Sequence, residues 1–434
     1  MNNPEVTTNP TMDLMDLNDD CLLYILQFLN LIELMDLRGV CCRLDNLILQ
    51  SRSRFVHFNF KAFPSGQNFD ETKFLEILQF LGSTIKSLDL NGFFDIFPYF
   101  YGKSVIFQWI SEHCVNLETY IHEDFDFDNI PMIQQFASVV RTLRSLTLIN
   151  CSFDDSLGDC FIDAQLEELK VDGMKITEKF FKNVSNLISL SIRQCINMTA
   201  DSHIQVLKNN LKVRKLEISS ICKTEELVNF ISKLPQIEEL TMNVTSVNFS
   251  AFGDLPNLKK LKLSQKYYPV LDKDLVSVEM KKLIEQLKQK NIIEDLETRR
   301  MDLHEHLNLI SELTSLKELS LDKLNRATDA DVKNLQKLVN LEKLTIFSFE
   351  KKLSVDSLIK SLKRLQHFLV GIDEIDIEYL EKLTQTLNHS QNRPKLELHV
   401  ETIHVGEQSD VLYDLLRNNK DVLKVSYYDL NYSE

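Results

Sequence analysis

The strongest constraint on the fold of this chain is an apolar pattern, L-x-x-L-x-L, that recurs from residue 85 to the C-terminus. Because side chains alternate between the two faces of a strand, the last two apolar residues of each copy point to one side of a short strand. Between copies the apolar spacing changes toward 3.6 residues, which predicts a return helix. The clearest copies are Ile85/Leu88/Leu90, Leu143/Leu146/Leu148, Leu166/Leu169/Val171, Leu187/Leu190/Ile192, Val213/Leu216/Ile218, Ile237/Leu240/Met242, Leu258/Leu261/Leu263, Leu316/Leu319/Leu321 and Leu341/Leu344/Ile346.

The spacing of these copies identifies the kind of repeat. The second apolar position falls at residues 146, 169, 190, 216, 240 and 261, which are 21 to 26 residues apart. Leucine-rich repeats have periods of about 20–29 residues. Neither a single strand nor a single helix can bury its apolar face alone, so such units stack. We therefore predict an α/β fold over residues 85–434, a curved leucine-rich-repeat solenoid with parallel strands on its concave face and helices on its convex face.

Two features of the repeats point to a subtype. Cys151 and Cys195 each follow a strand pattern at the position where repeat proteins often place Asn or Cys. Thr199 and Thr328 precede helical patterns and are suited to cap those helices. These segments resemble the cysteine-containing repeats of F-box leucine-rich-repeat proteins.

One interval departs from the period. Between Leu261 and Leu319 lies a charged helical stretch, and we interpret residues 270–295 as an irregular helical insertion, within one irregular repeat plus a protruding helix. A longer return helix on the convex face and a partner-binding insertion are the alternatives. Leu296/Arg299/Met301 makes a poor repeat copy, because it would place Arg299 in the core.

The N-terminal part of the chain carries a different pattern. Residues 1–11 are polar and are predicted to be a disordered tail, and residues 51–84 are predicted to be a linker or capping segment. Between them, residues 12–50 carry apolar spacings of three and four that predict three short helices. A core this small usually needs to be stabilised by a partner chain, a disulfide or a metal ion.

This segment is similar to the F-box. The match includes Leu17, Asp20, Leu22, Ile25, Leu26, Phe28, Leu29, Glu33, Leu34, Leu37, Val40 and Cys41. Asn18 stands where F-boxes commonly have proline, and Leu44 stands where they commonly have tryptophan. Asn18 remains a good helix cap and Leu44 remains apolar, but both changes weaken the match.

The resemblance implies a role and a set of partners. An F-box binds the Skp-family adapter, which docks on a cullin that carries a RING subunit and a ubiquitin-charged E2. The chain would then be the substrate-recognition adapter of an SCF-type E3 ubiquitin ligase, and its repeats would bind an unknown protein substrate. The resemblance assigns adapter-facing or motif-core contacts to Leu17, Asp20, Leu22, Ile25, Leu29, Leu34, Leu37 and Val40.

The substrate site is expected where the strands expose unusual side chains. Residues that flank L-x-L point outward, and most of them are charged or polar, as on a solvated surface. Phe347 is an aromatic exception, and aromatic residues often anchor protein partners. His367, His399 and Tyr428 continue toward a more aromatic C-terminal end, so we predict substrate binding there.

Composition limits the other function classes. The net charge of −15 disfavours binding to nucleic acid and to anionic membranes. The sequence carries no phosphate-binding glycine motif, nucleophile elbow or metal-ligand spacing, so we expect no catalytic residues, metal or cofactor. The eight cysteines form no C-x-x-C pair, and with no signal-peptide pattern this predicts a reduced protein of the cytoplasm and/or nucleus. The alternative function is a leucine-rich-repeat interaction scaffold without ligase association, and an enzyme is the third and weakest hypothesis.

Overall fold

A computed structural model describes the chain over residues 13–62, 71–93, 103–127, 130–173, 175–219, 225–245, 248–265, 272–322, 324, 326–347, 356–374, 377–388, 397–404, 415, 417–419 and 423–427. The predicted tail, residues 1–11, lies outside these ranges. By its internal contacts the chain divides into two compact units. Unit 1 comprises residues 1–146 and 163–165, and unit 2 comprises residues 147–162 and 166–434.

Unit 1 begins with three short helices, α1 (Asp19–Leu26), α2 (Leu31–Asp36) and α3 (Cys42–Ser51). Their starts follow from capping: Asn18 Oδ1 accepts the Cys21 N–H at 2.8 Å, and Asn30 and Glu33 form a capping box. The buried side chains of the three helices form one small core. They are Leu22, Leu26, Leu31, Leu34, Met35, Leu44, Leu47 and Ile48.

Two arginines bind backbone carbonyls on either side of α1. Arg54 donates to the carbonyls of Leu26 and Gln27, each at 2.9 Å, and to that of Leu29 at 3.2 Å. Arg43 donates at 2.7 Å to the carbonyl of Leu17, just before the helix. Carbonyls at a helix C-terminus have no partner within the helix, so Arg54 satisfies groups that would otherwise need water.

The rest of unit 1 consists of parallel strands alternating with helices. Its strands are β1 (His57–Asn59), β2 (Ser87–Asp89) and β3 (Thr119–Glu123), and its helices are α4 (Glu71–Leu81), α5 (Lys103–His113) and α6 (Ile130–Val140). In the strands, Phe58 pairs with Leu88 and Leu88 with Tyr120, and all three side chains are buried. The interval 51–84, predicted as a linker or cap, therefore contains a strand and a helix of the repeat type.

Strand β4 (Ser145–Ile149) is followed in unit 2 by strands that pair in sequence order, always in parallel. They are β5 (Glu168–Asp172), β6 (Ser189–Arg193), β7 (Lys215–Ser219), β8 (Glu239–Val244), β9 (Lys260–Gln265), β10 (Asp295–Arg299), β11 (Glu318–Leu321), β12 (Lys343–Phe347), β13 (His367–Glu374), β14 (Glu397–His404) and β15 (Leu423–Tyr427). The pairing aligns the first inward residue of neighbouring strands, as in Leu216 with Leu240 and Leu240 with Leu261. The predicted α/β leucine-rich-repeat architecture is thereby confirmed.

Return segments of unit 2 include both α-helices and 3-10 helices. The α-helices are α7 (Ala200–Asn209), α8 (Glu225–Ile231), α9 (Lys273–Lys290), α10 (Leu307–Ile310), α11 (Asp329–Asn334), α12 (Asp356–Ser361) and α13 (Ile377–Asn388). The 3-10 helices are Asp155–Phe161, Glu178–Phe181, Phe249–Asp254, His304–His306 and Leu335–Lys337. Thr199 and Thr328 are N-cap residues, as predicted.

The turn after several strands uses a left-handed residue. Asn150 and Gln194 have φ values of 51° and 49°, and each directly precedes one of the two repeat cysteines. Cys195 Sγ then donates to the Arg193 carbonyl at 3.0 Å, and burial raises the pKa of its thiol to about 12. The cysteine is thus a small buried residue whose S–H satisfies a carbonyl at the end of the strand.

The irregular interval forms a single unit in place of the predicted irregular repeat plus protruding helix. Helix α9 runs between β9 and β10 and buries one face, with Met280 and Leu283 fully covered. The next strand has the inward residues Leu296 and Thr298, which pair with Leu261 and Leu263 of β9. The copy Leu296/Arg299/Met301 was therefore in the wrong register, because a buried threonine fills a position where the pattern requires an aliphatic residue.

Thr298 generates a prediction about stability. Its side chain is fully buried, and its Oγ1 has no hydrogen-bond partner in the described part of the chain. Thr298→Val keeps the shape and removes the unsatisfied hydroxyl, so we expect the free energy of unfolding to rise by about 1–2 kcal/mol. Thr241→Val, on the outward side of β8, is the matched control and should change the free energy of unfolding little. Chemical denaturation of both variants tests this, and a destabilised Thr298→Val would contradict it.

Candidate functional site

The N-terminal helices carry a second apolar face besides the one that forms their core. Tyr24 lies on α1, Phe28 lies four residues later, just beyond the C-terminus of the helix, and the two side chains are 62% and 72% exposed. Their ring centroids are 5.1 Å apart in an edge-to-face arrangement, which holds both rings in place. Ile25, Val40, Leu14 and Leu49 are also exposed on this segment. We call Tyr24, Ile25 and Phe28 the helical face.

A helical face of this kind favours contact with another apolar surface. Large exposed apolar patches on soluble proteins mark interaction sites or aggregation hazards. Covering the two aromatic rings would contribute about 2–4 kcal/mol before the entropic cost of association. The face is therefore suited to a protein partner that brings its own apolar residues.

The structure divides the predicted adapter-contact residues into two groups. Leu22 and Leu34 are buried within unit 1 itself, so they are core residues and cannot form the surface contact. Ile25, Val40 and Asp20 are exposed. Leu17, Leu29 and Leu37 are half-buried.

Sequence reasoning missed Tyr24 as a surface residue and used Phe28 only to match the motif. The available signal was that α1 is apolar on more than the one face that its own core requires.

The outward side chains of β5–β14 form a second surface, which we call the strand face. Its first row runs across the sheet in register and carries alternating charges over much of its length. The row is Glu168, Ser189, Lys215, Glu239, Lys260, Asp295, Glu318, Lys343, His367 and Glu397. Lys215 and Lys260 lie 3.4 and 3.7 Å from Glu239, so neighbouring strands exchange ion pairs.

A group of shielded charges on the strand face surrounds Lys262. Its Nζ lies 2.9 Å from Glu297 and 3.7 Å from Asp295. Burial raises the pKa of Asp295. Burial also acts to raise the pKa of Glu297, but the hydrogen bonds and charges of Lys262 and Arg299 together lower it overall. Burial alone would lower the pKa of Lys262, but the two carboxylates raise it overall. The ammonium group of Lys262 is therefore shared by two carboxyl groups that are shielded from water, and Glu297 is paired with Arg299 as well.

The predicted substrate residues do not form one compact cluster in the described chain. Phe347 is half-buried at the end of β12 and pairs with Gly371, whereas His367 is exposed at the start of β13. Gly371 lies four positions after His367 along β13, which corresponds to about 13 Å. His399 lies in β14 opposite Leu369, and nothing of its side chain is described. Tyr428 lies outside the described residues.

His367 makes one described contact on the strand face. Its Nδ1 is 3.3 Å from the Glu397 carboxylate, so the imidazole belongs to the charged first row. The predicted site is thus divided between a charged row and the aromatic Phe347 at the opposite end of the strands.

The histidines that follow β10 interact with other residues of the same chain. His306 is buried, its pKa is lowered by burial, and its Nε2 lies 2.9 Å from Ser277 Oγ of α9. His304 Nδ1 lies 2.7 Å from Asp302. Among the described residues, no group of three or more His, Cys, Asp or Glu side chains is arranged to hold a metal ion. No described helix is both long enough and apolar enough to cross a membrane.

Comparison with known proteins gives structural neighbours but no family. No protein-family model matches the chain, and no curated protein matches its sequence. A leucine-rich-repeat protein of Leptospira interrogans is 15% identical with a TM-score of 0.32, over 82% of this chain and 98% of that one. The leucine-rich-repeat ectodomain of the Arabidopsis receptor kinase HAESA, solved with a peptide hormone, is 12% identical with a TM-score of 0.33. The match covers 68% of this chain and 44% of that one. A Bacteroides fragilis protein is 13% identical with a TM-score of 0.25, over 48% of this chain and 78% of that one. The chain thus spans less than half of the HAESA ectodomain.

The trio around Lys262 generates a prediction with a pH dependence. Lys262→Met leaves Asp295 without its described ion pair and leaves Glu297 with Arg299 as its remaining cation. We therefore expect a loss of about 1–3 kcal/mol at pH 7, a range discounted because the lysine is partly exposed. In the unchanged protein the lowered pKa of Glu297 contributes stability above its unfolded pKa and loses it as the pH falls. The difference between the two proteins should therefore shrink toward pH 4. Lys260→Met, which breaks a more exposed pair, is the control and should cost less than about 1 kcal/mol. Equal losses in both variants, measured by denaturation across this pH range, would contradict the prediction.

Proposed function

We propose that this chain is the substrate-recognition adapter of an SCF-type E3 ubiquitin ligase. In this proposal the helical face binds the Skp-family adapter, and through it the cullin and RING subunits. The strand face of unit 2 binds a protein substrate. The chain is expected to work in the cytoplasm or the nucleus, where such ligases act.

The observation that carries the proposal is the exposed helical face on an F-box-like segment. The resemblance to the F-box extends from Leu17 to Cys41, and the three helices that it implies are present at α1, α2 and α3. Their small core leaves Tyr24 and Phe28 in water. A segment below about 40 residues commonly gains stability from a partner, and an apolar face supplies the contact.

The departures from the F-box pattern are compatible with this role. Asn18 replaces the common proline and caps α1 through its Oδ1. Leu44 replaces the common tryptophan and is buried in the core of the three helices. Both substitutions thus preserve the local fold, while the contact area of a tryptophan is lost.

In the proposed mechanism the chain supplies proximity and no catalytic group. Holding a substrate lysine near a ubiquitin thioester raises the effective concentration of the two reactants. Two binding surfaces on one polypeptide provide this linkage without any new chemical group. Specificity then resides in the strand face, and assembly resides in the helical face.

The second candidate function is a leucine-rich-repeat interaction scaffold without ligase association. Its support is that no protein-family model matches the chain, including the N-terminal segment. In that case the three helices serve only as a cap for the repeats. The two functions differ in whether the Skp-family adapter binds.

Removal of the two exposed rings should abolish adapter binding. We expect Tyr24→Ala/Phe28→Ala to weaken the complex with the Skp-family adapter by at least about thirtyfold, because buried aromatic anchors typically contribute 2 kcal/mol or more. The measurement is a titration of purified adapter against the full chain. Leu211→Ala, which removes an exposed leucine from unit 2, is the matched control.

The outcomes separate the two functions. Tight binding that is lost in the double variant and kept in the control supports the ligase role. If the unchanged chain does not bind the adapter, the ligase role is rejected and the interaction scaffold remains as the function. Binding that the double variant retains would reject the helical face as the contact surface.

A further inference from the structure

A cavity of about 430 Å³ opens in unit 1 beside the N-terminal helices. Its wall is formed by residues from the end of α2, the end of α3 and the second half of α4. The residues that matter for its chemistry are Arg38, Arg52, Phe80, Glu76, Met35 and Leu49. The volume is more than ten times the roughly 30 Å³ share of one water molecule, so a side chain can enter it.

Two guanidinium groups converge on one aromatic ring in this cavity. The Arg38 guanidinium carbon lies 4.5 Å from the centroid of Phe80, and that of Arg52 lies 5.8 Å from it. Phe80 itself is buried. Stacking on an aromatic face orients a guanidinium and leaves its N–H donors free at the edges.

The two arginines differ in how they are held. Arg52 donates from Nε to the Leu49 carbonyl and from Nη1 to the Phe80 carbonyl, each at 3.2 Å. Arg38 makes no side-chain hydrogen bond or ion pair within the described part of the chain, although its backbone N–H is anchored to the Met35 carbonyl at 3.1 Å. Its N–H donors are thus placed at the cavity without a protein acceptor.

One carboxylate, that of Glu76, lines the cavity together with the two arginines. It lies 3.8 Å from Lys73, one turn earlier on α4, but Lys73 binds Asp36 more closely, at 3.0 Å. Two guanidinium groups thus face one carboxylate in the cavity wall, in a chain whose net charge is −15. Met35 and Leu49 add an apolar wall beside these charges.

We propose that this cavity binds an oxyanion, phosphate or carboxylate, carried on a peptide side chain. The fork of guanidinium donors matches the two oxygens of such a group, and the apolar wall suits its aliphatic stem. Phosphate should bind more tightly than carboxylate because it carries close to two charges at neutral pH. The site is independent of the proposed ligase role, since it uses neither Tyr24 nor Phe28.

The experiment uses three small probes with the full chain: N-acetyl phosphoserine methylamide, its glutamate equivalent and its serine equivalent. Arginine Nε–H signals in the ¹⁵N-labelled protein report binding at each guanidinium. The signals of Arg38 and Arg52 should shift in a saturable way with phosphoserine, less with glutamate and not with serine. Added salt should weaken the shifts.

Substitutions locate the site. Arg38→Gln should weaken phosphoserine binding at least about tenfold, read from the Arg52 signal, because a charge-assisted pair is lost. Arg38→Lys should show an intermediate loss, since an ammonium cannot bind two oxygens in one plane. Arg141→Gln, an exposed arginine of the same unit, is the matched control and should bind as before. Thermal unfolding of each variant verifies that the fold is kept.

Three results would overturn the proposal. They are absence of a saturable shift at millimolar phosphoserine, equal shifts with the uncharged serine probe, and equal losses in Arg38→Gln and Arg141→Gln. None of them bears on adapter binding, so the fate of this site and that of the ligase role are decided separately.

Discussion

The structure depends on the packing of inward apolar side chains between neighbouring parallel strands that are aligned in register. A strand of three to six residues has no stability alone, and its helix buries only one face. Register pairs such as Leu319 with Leu344 repeat the same contact from strand to strand, so each unit completes the core of the previous one. Every other feature of unit 2, including its charged strand face, is positioned by this alignment.

This dependence explains which deviations the repeats tolerate. In a repeat array each unit contacts only its neighbours, so a poor residue costs stability locally and leaves the rest of the array intact. Thr298 occupies an inward position between Leu263 and Leu321, and the aliphatic residues of both adjacent strands still cover it. The left-handed residues after the strands work in the same local way, because asparagine or glutamine reverses the chain there without glycine.

Much of this fold could be predicted from the sequence because regularly spaced apolar residues mark the inward positions. Nearly every strand from β2 to β12 carries the L-x-x-L-x-L pattern, and the pattern fixes both face and register. The main exception has a physical cause. Strand β10 follows a different register from the copy Leu296/Arg299/Met301, because the inward Thr298 is isosteric with valine but is not counted as apolar.

The site was harder to predict because burial depends on tertiary packing. Helix α1 carries Leu22 and Leu26 on its core face and Tyr24 and Ile25 elsewhere, and Phe28 follows just beyond its last residue, so this segment is apolar on more than one face. Periodicity alone cannot say which of these residues the rest of unit 1 covers. A second apolar face needs a cover of its own, and within the described chain only the core face is buried.

The strand face imposes a different requirement on any partner that contacts it. Its charges are already paired across strands in the free chain, as between Lys215 and Glu239 or between Lys262 and Glu297. A partner that covers them removes water from both members of each pair, and this desolvation costs free energy unless new hydrogen bonds replace it. A generic charged protein gains nothing from such a surface. Only a partner whose charges alternate in the matching order offsets this desolvation cost with new ion pairs. Selectivity on this face would therefore arise from the order of the partner's charges rather than from its net charge.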